Sequence, residues 1–237
     1  MQTVPWWEGL LPVFDVETTG SDPREARIVS AALLLCLPDG RVQPGGVDVI
    51  VNPGVPIPDE ATAVHGITTE RARAEGIAPA EAVDQILTCL RGIAALGWPL
   101  VIYNATYDWV VLHHEVWRHA PRRDVPAVPI LDPLVLDRGN DRHRKGSRKL
   151  GDVCAHYGVR LEGAHDARAD AAATAALLRA MVGRFPELQA MTFEQLQDIQ
   201  ADMHAAWVQS FNAYRAARGE PPIEAVRWPG VELVVAR

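Results

Sequence analysis

Asp15 and Glu17 stand one residue apart in Val13-Phe14-Asp15-Val16-Glu17-Thr18-Thr19-Gly20, at the end of an otherwise apolar stretch. The stretch reads as a strand, and alternation along a strand puts both carboxylates on one face. Like charges held side by side raise each other's pKa and are costly to bury unless a cation lies between them. Hard oxygen ligands of this kind suit magnesium or manganese. A strand that merely ends in a polar loop could carry the same pair, but the Thr-Thr-Gly that follows favours a built site.

Two further segments offer acids in comparable settings. In Val101-Ile102-Tyr103-Asn104-Ala105-Thr106-Tyr107-Asp108 a strand runs into a helix, and Asp108 falls in the first turn, where an acid also favours the helix dipole. Asn104 could serve the turn itself. In Ala164-His165-Asp166-Ala167-Arg168-Ala169-Asp170 a helix begins, with Asp166 as its N-cap. His165 and Asp170 are five apart, about 140° around an ideal helix, so both can face one cavity only if His165 lies in the preceding loop.

These residues need a frame. Leu11 to Val16, Ile28 to Leu37 and Val47 to Val51 read as an antiparallel meander, separated by turn-formers such as Pro38-Asp39-Gly40 and Pro44-Gly45-Gly46. Helices follow at Ala80 to Leu96 and Tyr107 to Ala120, each leading to a strand, at Leu100 to Tyr103 and Val128 to Leu131. Lys149 to Tyr157 and Ala167 to Arg184 complete the helical set. The pattern predicts an α/β domain: a mixed sheet of about five strands, three antiparallel and then parallel, with helices on both faces. Beyond it, Thr192 to Arg218 predicts a long amphipathic helix, opened by the capping-box spacing Thr192-Phe193-Glu194-Gln195 and stopped by Gly219 and Pro221. The boundaries are one domain at 8–186 and an extension at 190–237, able to pack on the domain or bind a partner.

Bulk composition narrows the classes. At 237 residues, 48% hydrophobic and 22% charged, the chain can bury a full core and is not disordered throughout. Its longest strongly apolar run, Ala31 to Leu37, is seven residues, far short of a bilayer span. No secretory leader is visible at the N-terminus, and the three cysteines, Cys36, Cys89 and Cys154, suit reduced core thiols. The cytoplasm is the expected compartment. A net charge of −7 counts against a broad nucleic-acid surface unless cations offset the acids and a local basic segment meets phosphates. Arg138, Arg142, Arg144, Lys145, Arg148 and Lys149 form such a segment, read as a glycine-containing loop. Arg144, Lys145 and Arg148 are its candidate phosphate contacts.

Taken together, the three acidic segments resemble the DnaQ-like exonucleases of the ribonuclease H-like superfamily, the DEDDh branch with four acids and a histidine. Asp15 and Glu17 match the first motif, Asp108 the second, and His165 with Asp170 the third. The stretch Val51-Asn52-Pro53-Gly54 through Thr68 also looks like the family's segment between the first two motifs, and the likeness spans about residues 10 to 183. Tyr103 and Tyr107 depart from the residues commoner there, histidine and phenylalanine. The resemblance implies two bound Mg2+ or Mn2+ ions, with Asp15, Glu17 and Asp170 holding one, Asp15 bridging to the other, and Asp108 acting directly or through water. It implies that His165 takes a proton from the attacking water, a task suited to a side chain that titrates near neutrality. Thr18, Gly20, His65 and Asn104 would approach the terminal nucleotide, and Asp132 would be structural. The implied reaction is 3′-5′ removal of 5′-mononucleotides from single-stranded DNA, with RNA as an alternative substrate. A non-catalytic module that recruits a partner through the long helix is a rival reading; the tail after residue 190 matches none of the family's polymerase-binding extensions, and the helix itself is a candidate surface for a polymerase or for self-association.

Overall fold

The computed structural model describes residues 5–161, 163 and 165–230; the far end of the expected extension, 231–237, lies outside the described residues. Five strands, β1 (Leu11–Thr18), β2 (Ile28–Cys36), β3 (Val42–Ile50), β4 (Leu100–Val101) and β5 (Ile130–Leu131), form one sheet in the order β3-β2-β1-β4-β5. β1 pairs antiparallel with β2 from Leu11↔Cys36 to Thr18↔Ile28, and parallel with β4 at Val13↔Val101. β4 and β5 are also parallel. This is the mixed sheet that the strand and helix pattern predicts, and the ribonuclease H-like arrangement that the family resemblance implies.

Alternation along β1 sorts its side chains. Phe14 and Val16 enter a core with Ile86, Leu87 and Leu90 of α3 (Pro79–Ala95) and Leu112 of α4 (Ala105–His119). Leu11 and Val13 enter the opposite core, with Leu177, Leu178 and Met181 of α7 (Ala167–Arg184). Fully burying a Leu or Phe contributes about 1.5–3 kcal/mol, so both faces of β1 are firmly seated. The next residues on the α7 face are Asp15 and Glu17.

Several segments differ from the sequence reading. Pro44-Gly45-Gly46 does not separate strands; it lies inside β3 as an irregularity, where Leu33 pairs with Val47 and Leu35 with Gln43. Gly45 takes φ 103° and Gly46 passes so close to the Leu33 carbonyl that a Cβ would stand 2.2 Å from its oxygen. Glycine and proline mark a bulge on an edge strand as readily as a turn. Three short helices fall outside the expected set: α1 (Asp59–His65), α2 (Thr69–Glu75) and α5 (Pro133–Asn140). Arg138 therefore sits in α5, not in a loop, and α6 (Leu150–His156) follows the basic segment.

The turn after β1 is clamped onto α4. Glu115, 1% exposed, accepts hydrogen bonds from Arg27 Nε at 2.7 Å and Arg118 Nη1 at 2.9 Å. Arg118 also donates to the carbonyls of Ala26, at 3.0 Å, and Arg24. Removing this buried acid leaves two guanidiniums without their counter-charge. Glu115→Ala is expected to cost about 3–5 kcal/mol, read as a shifted midpoint in urea; a shift under about 1 kcal/mol would show the clamp to be idle.

α8 (Phe193–Ala216) opens with the expected capping box, Gln195 N–H to Thr192 Oγ1 at 3.2 Å and Thr192 N–H to Gln195 Oε1 at 2.9 Å. It lies along the edge strand β5. Gln197 accepts from Ile130 N–H at 3.0 Å and donates to its carbonyl at 2.6 Å, as a neighbouring strand would. Gln200 accepts from Asp132 N–H at 2.6 Å and donates to the Ile130 carbonyl at 3.0 Å. An open sheet edge is a liability, and here two glutamines satisfy it. Among the described residues, no helix is long and apolar enough to cross a membrane.

Candidate active site

The C-terminal ends of β1 and β4 lie side by side, since the two strands are parallel. Glu17 closes the acid pair on β1, and the chain leaving β4 turns at Asn104, φ 62°, into α4. Asp132 makes that turn possible. Buried and N-capping α5, it accepts from Asn104 N–H at 3.0 Å, Ala105 N–H at 2.9 Å, Leu134 N–H at 2.9 Å and Trp228 Nε1 at 3.3 Å. Its oxygens are thus engaged by donors that fix backbone, which is a structural role. Four residues after Asn104, Asp108 is 5% exposed and its Oδ1 accepts from Val16 N–H at 3.1 Å, between the two first acids.

The third segment arrives from α7. Asp166 caps the helix through a bond from Ala169 N–H at 3.0 Å, and His165 precedes it with φ 68°, outside the helix. The left-handed backbone turns His165 N–H onto Asp170 Oδ2 at 3.1 Å. Ligand atoms of Glu17, His165 and Asp170 all lie within 4.8 Å of one another. Asp170 is 9% exposed, and its second oxygen, Oδ1, has no hydrogen-bond partner among the described residues.

The electrostatics are those of uncompensated acids. Burial raises Asp15 well above the usual carboxylate range, and Asp108, Asp170, Glu17 and Asp166 push it further. Glu17 is raised to about 7 by burial and then by Asp170 and Asp166. Burial raises Asp108 to about 8 against the bond from Val16, and raises Asp170 against the bond from His165. The charged neighbours that shift Asp15 and Glu17 are all acids. An orphaned carboxylate oxygen inside such a cluster fits a divalent cation.

Two cavities flank Glu17 and His65. One, about 580 Å³, is walled by the turn Thr18 to Ser21, by Ala61 and Val64 of α1 and by Tyr107. Thr18 Oγ1 donates to the Gly20 carbonyl at 2.9 Å, and the Tyr107 hydroxyl bonds both Thr18 Oγ1 and Gly20 O. His65 Nδ1 accepts from Ile67 N–H at 3.1 Å, and burial lowers its pKa against a hydrogen bond with the Thr18 backbone. The other cavity, about 270 Å³, contains His165, Arg71 and Arg168.

The structure thus brings Thr18, Gly20 and His65 to the acids, while Asn104 acts through the α4 turn. Arg144 and Arg148 do something else. Both point at Asp137, which is fully buried in α5, Arg144 at 3.2 Å, and Arg148 also donates to the Asp141 carbonyl at 2.8 Å. Lys145 stays exposed. Sequence reading missed the tyrosine hydroxyl, the field of Asp166, and Arg71 and Arg168; only Tyr107, one residue from Asp108, carried a usable signal.

Comparison with known proteins agrees with this geometry. A family model described as Exonuclease (RNase T) matches residues 13–178. An uncharacterised exonuclease of Escherichia phage 186 is 31% identical over 188 residues, covering 74% of this chain and 90% of its own. A DNA polymerase III subunit epsilon-like protein of Rhodobacter capsulatus is 32% identical over 166 residues, 69% of this chain and 22% of that one. The chain spans only 12% of the PolC-type DNA polymerase III of Streptococcus pneumoniae, with 29% identity. In structure it is similar to Escherichia coli Exonuclease I in complex with an oligonucleotide, with TM-score 0.63 and 22% identity over 76% of this chain and 42% of that one. The chain belongs to the DnaQ-like exonuclease family.

Proposed function

We propose that the protein removes nucleotides one at a time from the 3′ end of single-stranded DNA and releases 5′-mononucleotides. Two divalent cations, Mg2+ or Mn2+, would be held by Asp15, Glu17, Asp108 and Asp170. The observation that carries this reading is the meeting of Glu17, His165 and Asp170 within 4.8 Å, close enough to Asp15 for Asp108, Asp170 and Glu17 to raise it, with Glu17 lining both the 580 Å³ cavity and the smaller one that holds His165. When bound, the cations would stabilise charge on the attacking and leaving oxygens of an in-line displacement.

The chain's own groups do the rest. β1 and α7 hold the acids on rigid elements, and the bond from Val16 fixes Asp108. His165, exposed at the lip and anchored through its N–H to Asp170, takes the proton of the attacking water. His65 and the Thr18–Gly20 turn wall the terminal nucleoside. DNA is favoured because the DNA polymerase III relatives, by their names, belong to DNA synthesis.

Matched 5′-labelled DNA and RNA single strands with Mg2+ or Mn2+ test this. Ladders shortening from the 3′ end in single steps, faster on DNA, are expected; internal cuts or intact strands would overturn the reading, and faster RNA shortening would reassign the substrate. Tyr107→Phe removes the hydroxyl that ties Thr18 to Gly20. Loss of that bond is worth about 0.5–1.5 kcal/mol, so KM should rise roughly two- to thirteenfold with kcat little changed. A fall in kcat at constant KM would contradict the proposed wall.

A further inference from the structure

Resting on the nuclease reading, we propose that the C-terminal half of α8 is a second nucleic-acid contact, a stacking arm for the strand that trails behind the 3′ end. Direction comes first. Gln197 bonds Ile130 and Gln200 bonds the next-but-one residue, Asp132, so α8 follows β5 in the strand's own direction. At about 1.5 Å per residue, the helix from Gln200 to Tyr214 runs roughly 20 Å past the C-terminal end of β5. β1, β4 and β5 run parallel, so that end of the sheet is also the end that carries Glu17 and leads to Asp108.

Along this arm three aromatic rings form a continuous stack. Trp207 and Phe211 have centroids 5.3 Å apart at 12°, and Phe211 and Tyr214 6.2 Å apart at 15°. A guanidinium lies over each ring: Arg138 at 3.5 Å from Trp207, Arg215 at 5.8 Å from Phe211 and Arg218 at 5.5 Å from Tyr214. No acid occurs from Met203 to Gly219; Glu220 then pairs with Arg215 and Arg218. The returning chain bonds the neighbouring stripe, Ile223 to Asn212 and Pro221 to Arg215, and Tyr214 is left 57% exposed.

The stack is also joined to the site. Arg138 belongs to the basic segment, whose exposed Arg142 and Lys145 follow. The Tyr103 hydroxyl donates to the Arg148 carbonyl at 2.6 Å, holding this segment beside the turn that launches Asp108. A basic and aromatic track therefore runs from the acids to the tip of α8. Aromatic faces accept any base, and guanidiniums can leave a ring face for a phosphate. In a chain of net charge −7, such a local track is where a polyanion can be held. The arginines that lie over these rings give the face a charge that complements a polyanion.

Fluorescence anisotropy in EDTA, with labelled single strands of about 5 and about 25 nucleotides, tests the arm. Wild type should bind the longer strand at least about tenfold more tightly. Tyr214→Ala/Arg218→Ala, at exposed positions, should lose that length advantage and keep its melting temperature and its kcat on the short strand with Mn2+. A retained length advantage in the folded variant would overturn the proposal. So would a loss of dimer mass in sedimentation with unchanged DNA affinity, which would assign the face to self-association. Failure of the nuclease reading looks different: wild type would release no nucleotide even from the short strand.

Discussion

Asp170→Asn should reduce nucleotide release to background while making the cation-free protein more stable. One carboxylate oxygen of Asp170 accepts from His165 N–H, a bond an asparagine carbonyl can keep; the other has no partner among the described residues and joins the cluster of acids. An amide there removes a charge that raises Asp15 and Glu17. The sign follows from linkage. Asp15, Glu17, Asp108 and Asp170 all have folded values above their unfolded ones, so the folded state binds more protons. Stability is then greatest below about pH 4 for these groups and is lost as pH rises through about 7 for Glu17 and about 8 for Asp108. The cation-free protein should lose on the order of 3 kcal/mol between pH 5.5 and 8.5, after allowing for the partial exposure of Glu17. That corresponds to roughly 6–12 °C in melting temperature for a chain of this size. Mn2+ should restore the loss in wild type and little of it in Asp170→Asn. A variant that melts lower than wild type in EDTA at pH 8.5 would contradict the uncompensated-acid account.

Replacing His165 by glycine should lower kcat about 10²- to 10⁴-fold and leave the fold intact. The substitution isolates the imidazole. His165 is exposed and holds φ 68°, a conformation that glycine adopts without strain, so the N–H bond to Asp170 survives. A merely structural histidine would give an enzyme with normal kcat and a shifted melting temperature. Rate measurement at saturating strand, paired with melting in EDTA, separates the two. Full activity in the glycine variant would remove the proton-transfer role.

What was legible in the sequence follows from how far each signal reaches. Alternation along β1 is local, so the common face of Asp15 and Glu17 could be read directly, as could the caps Asp166 and Thr192. The loop position of His165 followed from the angle between residues five apart. Of the helices of seven or eight residues, α6 could be read, whereas α1 buries none of its side chains, α2 buries only Ala72, and the buried residues of α5 run consecutively from Pro133 to Asp137, so these three show no apolar period. Pro44-Gly45-Gly46 carries the signals of a turn, while pairing with β2 makes it a bulge. Arg144 and Arg148 counted as surface charge because nothing local shows that Asp137 is buried beneath them. The long helix was plain from its period, yet that period does not disclose that Gln197 and Gln200 close the β5 edge.

Mn2+ binding by isothermal titration, in wild type and in the single variants Asp15→Asn, Glu17→Gln, Asp108→Asn and Asp170→Asn, tests the central claim most directly. Residues from β1, α4 and α7 are held to share bound cations, so each variant, though folded, should bind Mn2+ at least about tenfold more weakly or lose one site. Wild-type affinity and stoichiometry in both Asp15→Asn and Asp170→Asn would contradict it.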